Sequence, residues 1–310
     1  MSRYIIKKLI SMVVSLIGVS VLIFSLLYFT PGDPARVILG DDATEETVQE
    51  LREEMGLNDS YGERYLRFVS GAVKGDFGVS YVTGRPVSDD ILSRFPTTIK
   101  LAVLSTLVAV LIALPLGILS ALYQNKWIDN LSRLIALLGV SMPQFWQAIL
   151  LILVFSLELR LLPASGSYGW QYWILPAFTV GIHMASTILR ITRSSMLDVL
   201  KEDYIMTARA KGTPVWQVIV RHGLKNALIP IVTIIGLRFG NALSGSVIAE
   251  SIFALPGLGK LIVDSIKSRD FPVVQGSVFL ISVSYCVINL AVDLLYTYIN
   301  PQIREQLQKK

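Results

Sequence analysis

Five stretches of this 310-residue chain, at 9–30, 101–125, 134–157, 161–189 and 271–292, contain no Asp, Glu, Lys or Arg. Each is long enough to cross a hydrocarbon layer of about 30 Å at about 1.5 Å of rise per helical residue. A sixth, 229–249, qualifies once Arg238 is accepted within it. Only 16% of the chain is charged while 53% is apolar, and the charges crowd into the segments between these runs. A soluble helical domain would instead carry a polar face along each helix. The pattern predicts an all-α membrane protein with six transmembrane helices.

Lys and Arg set the predicted orientation, because short loops rich in them stay on the cytoplasmic side. The N-terminal tail holds Arg3, Lys7 and Lys8, and the loop after the second run holds Lys126 and Arg133. The segment after the fourth holds Arg190, Arg193, Lys201, Arg209, Lys211, Arg221 and Lys225, and Arg304, Lys309 and Lys310 follow the sixth. Both termini are therefore expected in the cytoplasm, in keeping with an even number of crossings. Residues 31–97, with thirteen acidic against seven basic side chains, are expected outside. The formal net charge of +5 then reads as topology, not as a nucleic-acid footprint.

The first apolar run exceeds the core of a signal peptide and no small-residue cleavage pattern follows it, so it is expected to remain as a membrane helix. Residues 31–97 are too many for a simple turn. Asp42 is expected to cap a helix running to about Met55, with Glu45 three residues on and Gly56 ending it. Tyr61, Tyr65, Phe68, Val69 and Val73 then recur at helical spacing up to Lys74 and Gly75. Together they predict an amphipathic helical cap on the membrane surface, serving either as a docking platform or as a scaffold for the first two spans. Cys286 is the single cysteine, which excludes a disulfide framework and a CxxC metal pattern.

The charged island between the fourth and fifth runs has a mechanical logic. A membrane subunit driven by a separate motor needs a short, stiff helix at its cytoplasmic face, since a flexible loop would absorb the stroke; docking of a helix in a groove supplies that stiffness. Asp203 is placed to cap such a helix, Tyr204, Thr207, Ala208 and Lys211 follow at helical spacing, and Gly212 with Pro214 breaks it. Ala208 and Ala210 permit close approach, and Arg209 and Lys211 can meet acidic groups. On composition alone, a solvated basic turn accounts for the same residues.

Several short motifs occur in order along the chain. They are Pro-Gly-Asp-Pro at 31–34, Gly-Asp-Phe-Gly-Val-Ser at 75–80, Gly-Val-Ser-Met-Pro at 139–143 and Thr-Ala-Arg-Ala-Lys-Gly at 207–212. Glu-Ser-Ile-Phe-Ala-Leu-Pro-Gly-Leu-Gly at 250–259, Arg-Asp-Phe-Pro-Val-Val-Gln at 269–275 and Asn-Pro-Gln-Ile-Arg at 300–304 complete the series. At these positions they resemble the dipeptide, oligopeptide and nickel permeases of binding-protein-dependent ABC importers, and residues 204–230 resemble the coupling loop of those permeases. One departure is that Met206, Thr207 and Ala208 stand where the general importer motif has Glu-Ala-Ala. Gly212 also lies farther from Pro230 than in sugar importers, the form expected of the peptide and nickel branch.

The resemblance implies a type I importer permease fold. It divides the chain into a tail and first helix over 1–30, an extracytoplasmic helical cap over 31–97, a five-helix core over 98–300 with a coupling loop at 196–227, and a cytoplasmic tail over 301–310. It also implies partners in a prokaryotic cytoplasmic membrane: a paralogous permease, two cytoplasmic ATPases that use ATP and Mg²⁺, and an extracytoplasmic substrate-binding protein. The chain itself has no Walker A pattern, because Gly-Leu-Gly-Lys at 257–260 lacks the spaced preceding Gly and the following Ser or Thr. It also lacks HExxH, zinc-ligand spacing and Gly-x-Ser-x-Gly, so neither bond chemistry nor a cofactor or metal is expected on it.

Polar groups within the apolar runs are the remaining signal, because an ionisable side chain in hydrocarbon faces a cavity or a partner. Arg238 lies near the middle of the fifth run with Asn241 about one turn on, where the permeases this chain resembles often carry an uncharged polar residue. Arg238 is expected to line the pathway and meet a substrate carboxylate, or to pair with the partner permease. His183 beside Met184 raises nickel, for which imidazole is a good ligand, although one His without a second His or an acid also fits a hydrogen-bonded packing residue. Glu250 opens the external turn, as a gate or as a tie for the loop. Pro115, Pro143 and Pro230 can kink their spans. The expected function is import of small peptides by alternating access. The alternatives are nickel or metal-chelate import, and a passive channel or membrane receptor that needs no coupling helix.

Overall fold

The computed structural model describes residues 2–40 and 42–299. In chain order its helices are α1 (Ser2–Phe29), α2 (Pro34–Leu39), α3 (Glu45–Glu54), α4 (Tyr61–Lys74), α5 (Val87–Leu122), α6 (Trp127–Ser141) and α7 (Gln144–Leu151). They continue as α8 (Ile174–Val199), α9 (Asp203–Ala210), α10 (Val215–Gln217), α11 (Lys225–Gly245), α12 (Val247–Ile252), α13 (Leu258–Lys267) and α14 (Phe271–Ile299). Among the described residues there is no strand beyond an isolated bridge between Val79 and Pro86. Five helical stretches are long and apolar enough to cross a membrane, and the bent pair α6–α7 makes a sixth if it counts as one span. The motif at 300–304 and the basic tail residues Arg304, Lys309 and Lys310 lie outside the described residues.

The chain forms two compact units. One comprises Ser2–Thr98 and Pro256–Ser284. Its α1 exposes Ile10, Val14, Leu22 and Leu26, a face matched to lipid and not to water, and buries Ser20, Phe24 and Leu27. α4 packs on that buried side. The Tyr61 hydroxyl is 2.8 Å from Ser25 Oγ and the Tyr65 hydroxyl 2.9 Å from Ser20 Oγ, while both rings meet Phe24 edge-on. Four residues of α4 thus match five of α1, so α4 packs along the flank of α1. Its ends follow from local chemistry: Ser60 and Glu63 form a reciprocal capping box, and Gly75 closes the helix in the left-handed region at φ 78°.

Two sequence expectations for this unit are corrected. Thr44, not Asp42, caps α3, because its hydroxyl reaches Thr47 N at 3.3 Å whereas Asp42 sits in the preceding turn. The unforeseen α2 starts from Asp33, which accepts a hydrogen bond from Ala35 N, with Pro34 pre-set for the first helical position. α5 also begins at Val87, well before the charge-free run at 101, so Asp89, Asp90 and Arg94 are helical and the expected boundary at 97/98 falls inside a helix.

The other unit comprises Ile99–Leu255 and continues from Tyr285. α8 is its centre, with Leu175, Val180, Met184, Ile188 and Leu189 buried against α6, α7, α11 and α12. Small residues set the helix spacing, as is usual where lipid removes the hydrophobic drive between helices. A Cβ on Gly139 would stand 2.2 Å from Ser186 Oγ, and one on Gly117 2.7 Å from Thr192 Cβ.

The third and fourth runs differ from straight spans. α6 and α7 meet at 106°, because Pro143 lacks an N–H and holds Met142 extended at φ −77°, ψ 126°. α7 then widens into a π-helical segment, Ile152–Glu158. Residues 161–169 are an irregular loop tied by Gly166 N to Phe253 O at 2.9 Å, so the fourth crossing starts at the turn Trp170–Trp173 and runs to Val199. Arg190 and Arg193 are consequently inside α8 and not in the loop that follows.

Candidate coupling segment and pathway residues

α9 follows α8 after a three-residue turn and is one of the most exposed helices of its unit. Asp203 is its first residue and not its cap: Glu202 occupies the cap position with extended φ −71°, ψ 145° and its side chain accepts no capping hydrogen bond, while Asp203 favours the positive helix start by charge. Thr207 Oγ1 returns to Asp203 O at 3.0 Å. Gly212 ends the helix at φ 74°, its N–H donating to Arg209 O at 2.9 Å, with open space where a Cβ would be. That left-handed turn is where glycine is favoured.

Only Ile205 of α9 is wholly buried and Ala208 is half-buried, whereas Asp203, Tyr204, Met206, Thr207, Arg209, Ala210, Lys211 and Gly212 are exposed. Apolar side chains share that surface: Tyr204 is 41%, Met206 59%, Val215 68% and Trp216 64% exposed. Those values leave an apolar and basic patch that no described residue covers. Val215 and Trp216 escaped the sequence reading; the signal was an aromatic residue just after Pro214 in an otherwise charged island.

The same helix is tied to what lies behind it. Tyr204 OH accepts a hydrogen bond from Asn226 Nδ2 at 2.8 Å, and Asn226 sits in the first turn of α11. Between α9 and α11 the chain forms a π-helical segment, Val218–Leu224, packed on α9. Beneath it Met196, Ala227 and Ile231 form a buried cluster with Ala121, flanked by Leu200, Ile219 and Leu224. α9 is thus linked to the start of α11 directly by one hydrogen bond, and to the apolar cluster only by way of the π-helical segment.

A buried ion pair stiffens the same unit. Asp129 is fully buried at the start of α6, and its carboxylate accepts from Arg193 Nε and Nη2 at 2.8 Å each, from Ser120 Oγ at 2.6 Å and from Asn125 N at 2.9 Å. Arg193 belongs to α8 and Ser120 to α5, so one carboxylate joins three helices, with every contact a charge-assisted hydrogen bond. Neither Asp129 nor the role of Arg193 was visible in the sequence, because a pair 64 positions apart leaves no local pattern.

The four pathway candidates fall in three places, on α11, α8 and α12. Arg238 is half-buried on α11, and its Nε is buried without a hydrogen-bond partner among the described residues. Asn241 and Ser244 are exposed further along the same helix. A guanidinium and an amide on one face of a membrane-spanning helix are costly against lipid, so this face needs a polar neighbour. His183 on α8 places Nδ1 3.2 Å from Gly139 O of α6, the contact of a packing residue. Among the described residues no three His, Cys, Asp or Glu side chains come together in a way that could hold a metal ion. Glu250 is fully buried on α12 and accepts from Ser246 Oγ at 3.0 Å.

Residues 113–305 match the family described as "Binding-protein-dependent transport system inner membrane component". Residues 1–102 match the one described as "Binding-prot-dependent transport system membrane comp, N-term". The glutathione transport system permease protein GsiC of Escherichia coli (strain K12) is 46% identical over 304 residues, which are 98% of this chain and 99% of that protein. The protein of the same name from Shigella dysenteriae serotype 1 (strain Sd197) has the same identity and coverage. Among solved structures, the crystal structure of an amino acid ABC transporter with histidines is similar over 69% of this chain and 94% of its own, at a TM-score of 0.50 and 17% identity, a likeness of fold alone.

Proposed function

Because the chain belongs to the family of binding-protein-dependent transport system inner membrane components, it is a membrane permease subunit of an ABC importer, and we propose that its cargo is a small peptide. The channel and receptor readings give way to that family, and the chain is a permease and not an enzyme. Support for peptide-like cargo comes from the 46% identity to the GsiC permeases, whose name specifies glutathione, together with a guanidinium in a membrane-spanning helix whose buried Nε has no hydrogen-bond partner among the described residues. Nickel draws no comparable support from His183.

In this reading the basic segments, including α9, face the cytoplasm, residues 31–97 face outside, and both termini are cytoplasmic. α9 with Val215 and Trp216 docks on one of two ATPase subunits that bind ATP and Mg²⁺. A binding protein delivers the peptide from outside, and a paralogous permease completes the pathway. Closure of the ATPases pushes α9, the Tyr204–Asn226 bond and the Met196–Ala227–Ile231 cluster pass the movement to α11, and α11 carries Arg238 and Asn241 along the pathway. Arg238 meets the peptide carboxylate there. The single observation carrying the mechanism is the exposed, partly apolar α9 surface hydrogen-bonded to the first turn of a membrane-spanning helix.

The test is uptake by proteoliposomes holding this chain, its copurifying subunits and the binding protein. Arg238→Gln is expected to raise KM for peptides about ten-fold or more, the usual cost of losing a charged hydrogen bond, with ATP hydrolysis intact. Unchanged uptake and selectivity would remove Arg238 from the pathway.

A further inference from the structure

Two cavities lie within the unit formed by Ser2–Thr98 and Pro256–Ser284, of about 570 Å³ and about 520 Å³. Both are in the size range of small-molecule sites. They share two wall residues, Arg64 of α4 and Phe271 of α14. The larger one has an apolar floor from Phe24, Phe68 and Phe271, with Tyr81 and Glu54 also on its wall.

The charges on these walls are unevenly satisfied. Arg52 is paired with Asp33 at 2.9 Å, and Arg67 is paired with Asp59. Arg64 has no carboxylate partner among the described residues. Its guanidinium carries five N–H donors, yet it makes one long bond, to Leu57 O at 3.4 Å, and lies 5.2 Å from the Tyr28 ring centre. The Tyr81 phenol is close enough to feel the charge: burial, helped by the Asp270 carboxylate, raises its pKa above the ordinary value, while Arg64 and Arg67 pull against that rise. The phenol is therefore held protonated, as a donor. Its backbone is fixed, since Tyr81 N and Ser80 Oγ donate to Asp270 at 3.0 Å and 2.5 Å, but its hydroxyl makes no hydrogen bond among the described residues. An under-used guanidinium and a free phenol beside phenyl faces, with an exposed carboxylate on the same wall, form a complementary set for a zwitterion with apolar side chains.

We propose that this cavity pair is a peptide-binding site on the permease itself, where Arg64 and Tyr81 hold the C-terminal carboxylate of a short peptide. Phe24, Phe68 and Phe271 take its side chains and Glu54 its amino end. The inference rests on the peptide-import reading above. It adds a station for the peptide that is separate from the Arg238 face and from the binding protein.

The binding test uses the full permease complex carrying Arg238→Gln, so that the pathway guanidinium contributes no acid preference, purified with its partner subunits and without the binding protein. Equilibrium binding of a radiolabelled tripeptide is expected, with the C-terminal amide about ten-fold weaker or more. Arg64→Gln should lower binding of the free acid to the level of the amide and leave the amide unchanged; Arg64→Lys should restore part of the difference, which a misfolded protein would not do. Tyr81→Phe should weaken the acid several-fold. Equal binding of acid and amide, or an Arg64→Gln complex that still prefers the acid, overturns the site. The same holds if Arg64→Gln weakens only docking of the binding protein, since the arginine then serves a protein contact. Uptake is measured in parallel with the binding protein present. Peptide uptake without acid-selective binding defeats the cavity site alone, whereas absence of peptide uptake defeats the reading beneath it.

Discussion

Asp129 illustrates how much a single carboxylate can organise when it is fully buried and receives four hydrogen bonds. Removing one partner of a buried pair leaves the other uncompensated, at a cost of about 3–5 kcal/mol. Asp129→Ala is accordingly expected to lower the unfolding midpoint of the detergent-solubilised complex strongly. Arg193→Lys, which keeps the charge but loses the paired geometry, should cost distinctly less. Equal midpoints for wild type and Asp129→Ala would show that the pair contributes nothing. At Gly212 the expectation is milder: the site has room for a methyl group, so Gly212→Ala carries only the left-handed backbone cost of about 1–2 kcal/mol. Uptake by that variant should fall because α9 ends less firmly, while assembly with the ATPases persists.

Helices and their ends divide into those the sequence could announce and those it could not. Charge-free runs located the apolar helices, and Gly75 and Gly212 announced the ends of α4 and α9, whereas the Ser60–Glu63 capping box, although it acts over only three residues, went unread. The start of α5 was hidden, since Asp89, Asp90 and Arg94 read as loop composition although they form helical turns. The bend at Pro143 was foreseen only as a kink; its 106° angle depends on how α6 and α7 each pack on α8. At this scale the coupling path makes its own prediction. Tyr204→Phe deletes one hydrogen bond to Asn226, worth about 1 kcal/mol, without touching the packing below it. Peptide transported per ATP hydrolysed should drop in that variant while binding-protein-stimulated hydrolysis remains. An unchanged ratio would mean that the bond does not carry the movement.

For the molecule as a whole, the family and the helical membrane architecture were legible in short motifs spread from Pro31 to Gln275, and the match over 113–305 agrees with them. What stayed illegible is what depends on residues far apart in sequence: the Asp129–Arg193 pair, the α4 packing on α1, and the setting of Arg64 between two cavities. Cargo is not written in any local motif, because it is recognised by surfaces assembled from several elements. In the proposed mechanism an ATP-driven stroke received at α9 moves a peptide through this permease. Its most direct measurement is concentrative uptake of a labelled tripeptide into proteoliposomes loaded with ATP, for the wild type and for Met206→Asp on the exposed α9 surface. ATP-dependent accumulation is expected, and Met206→Asp should abolish it while the permease stays folded. Accumulation without ATP, or undiminished in Met206→Asp, would contradict it.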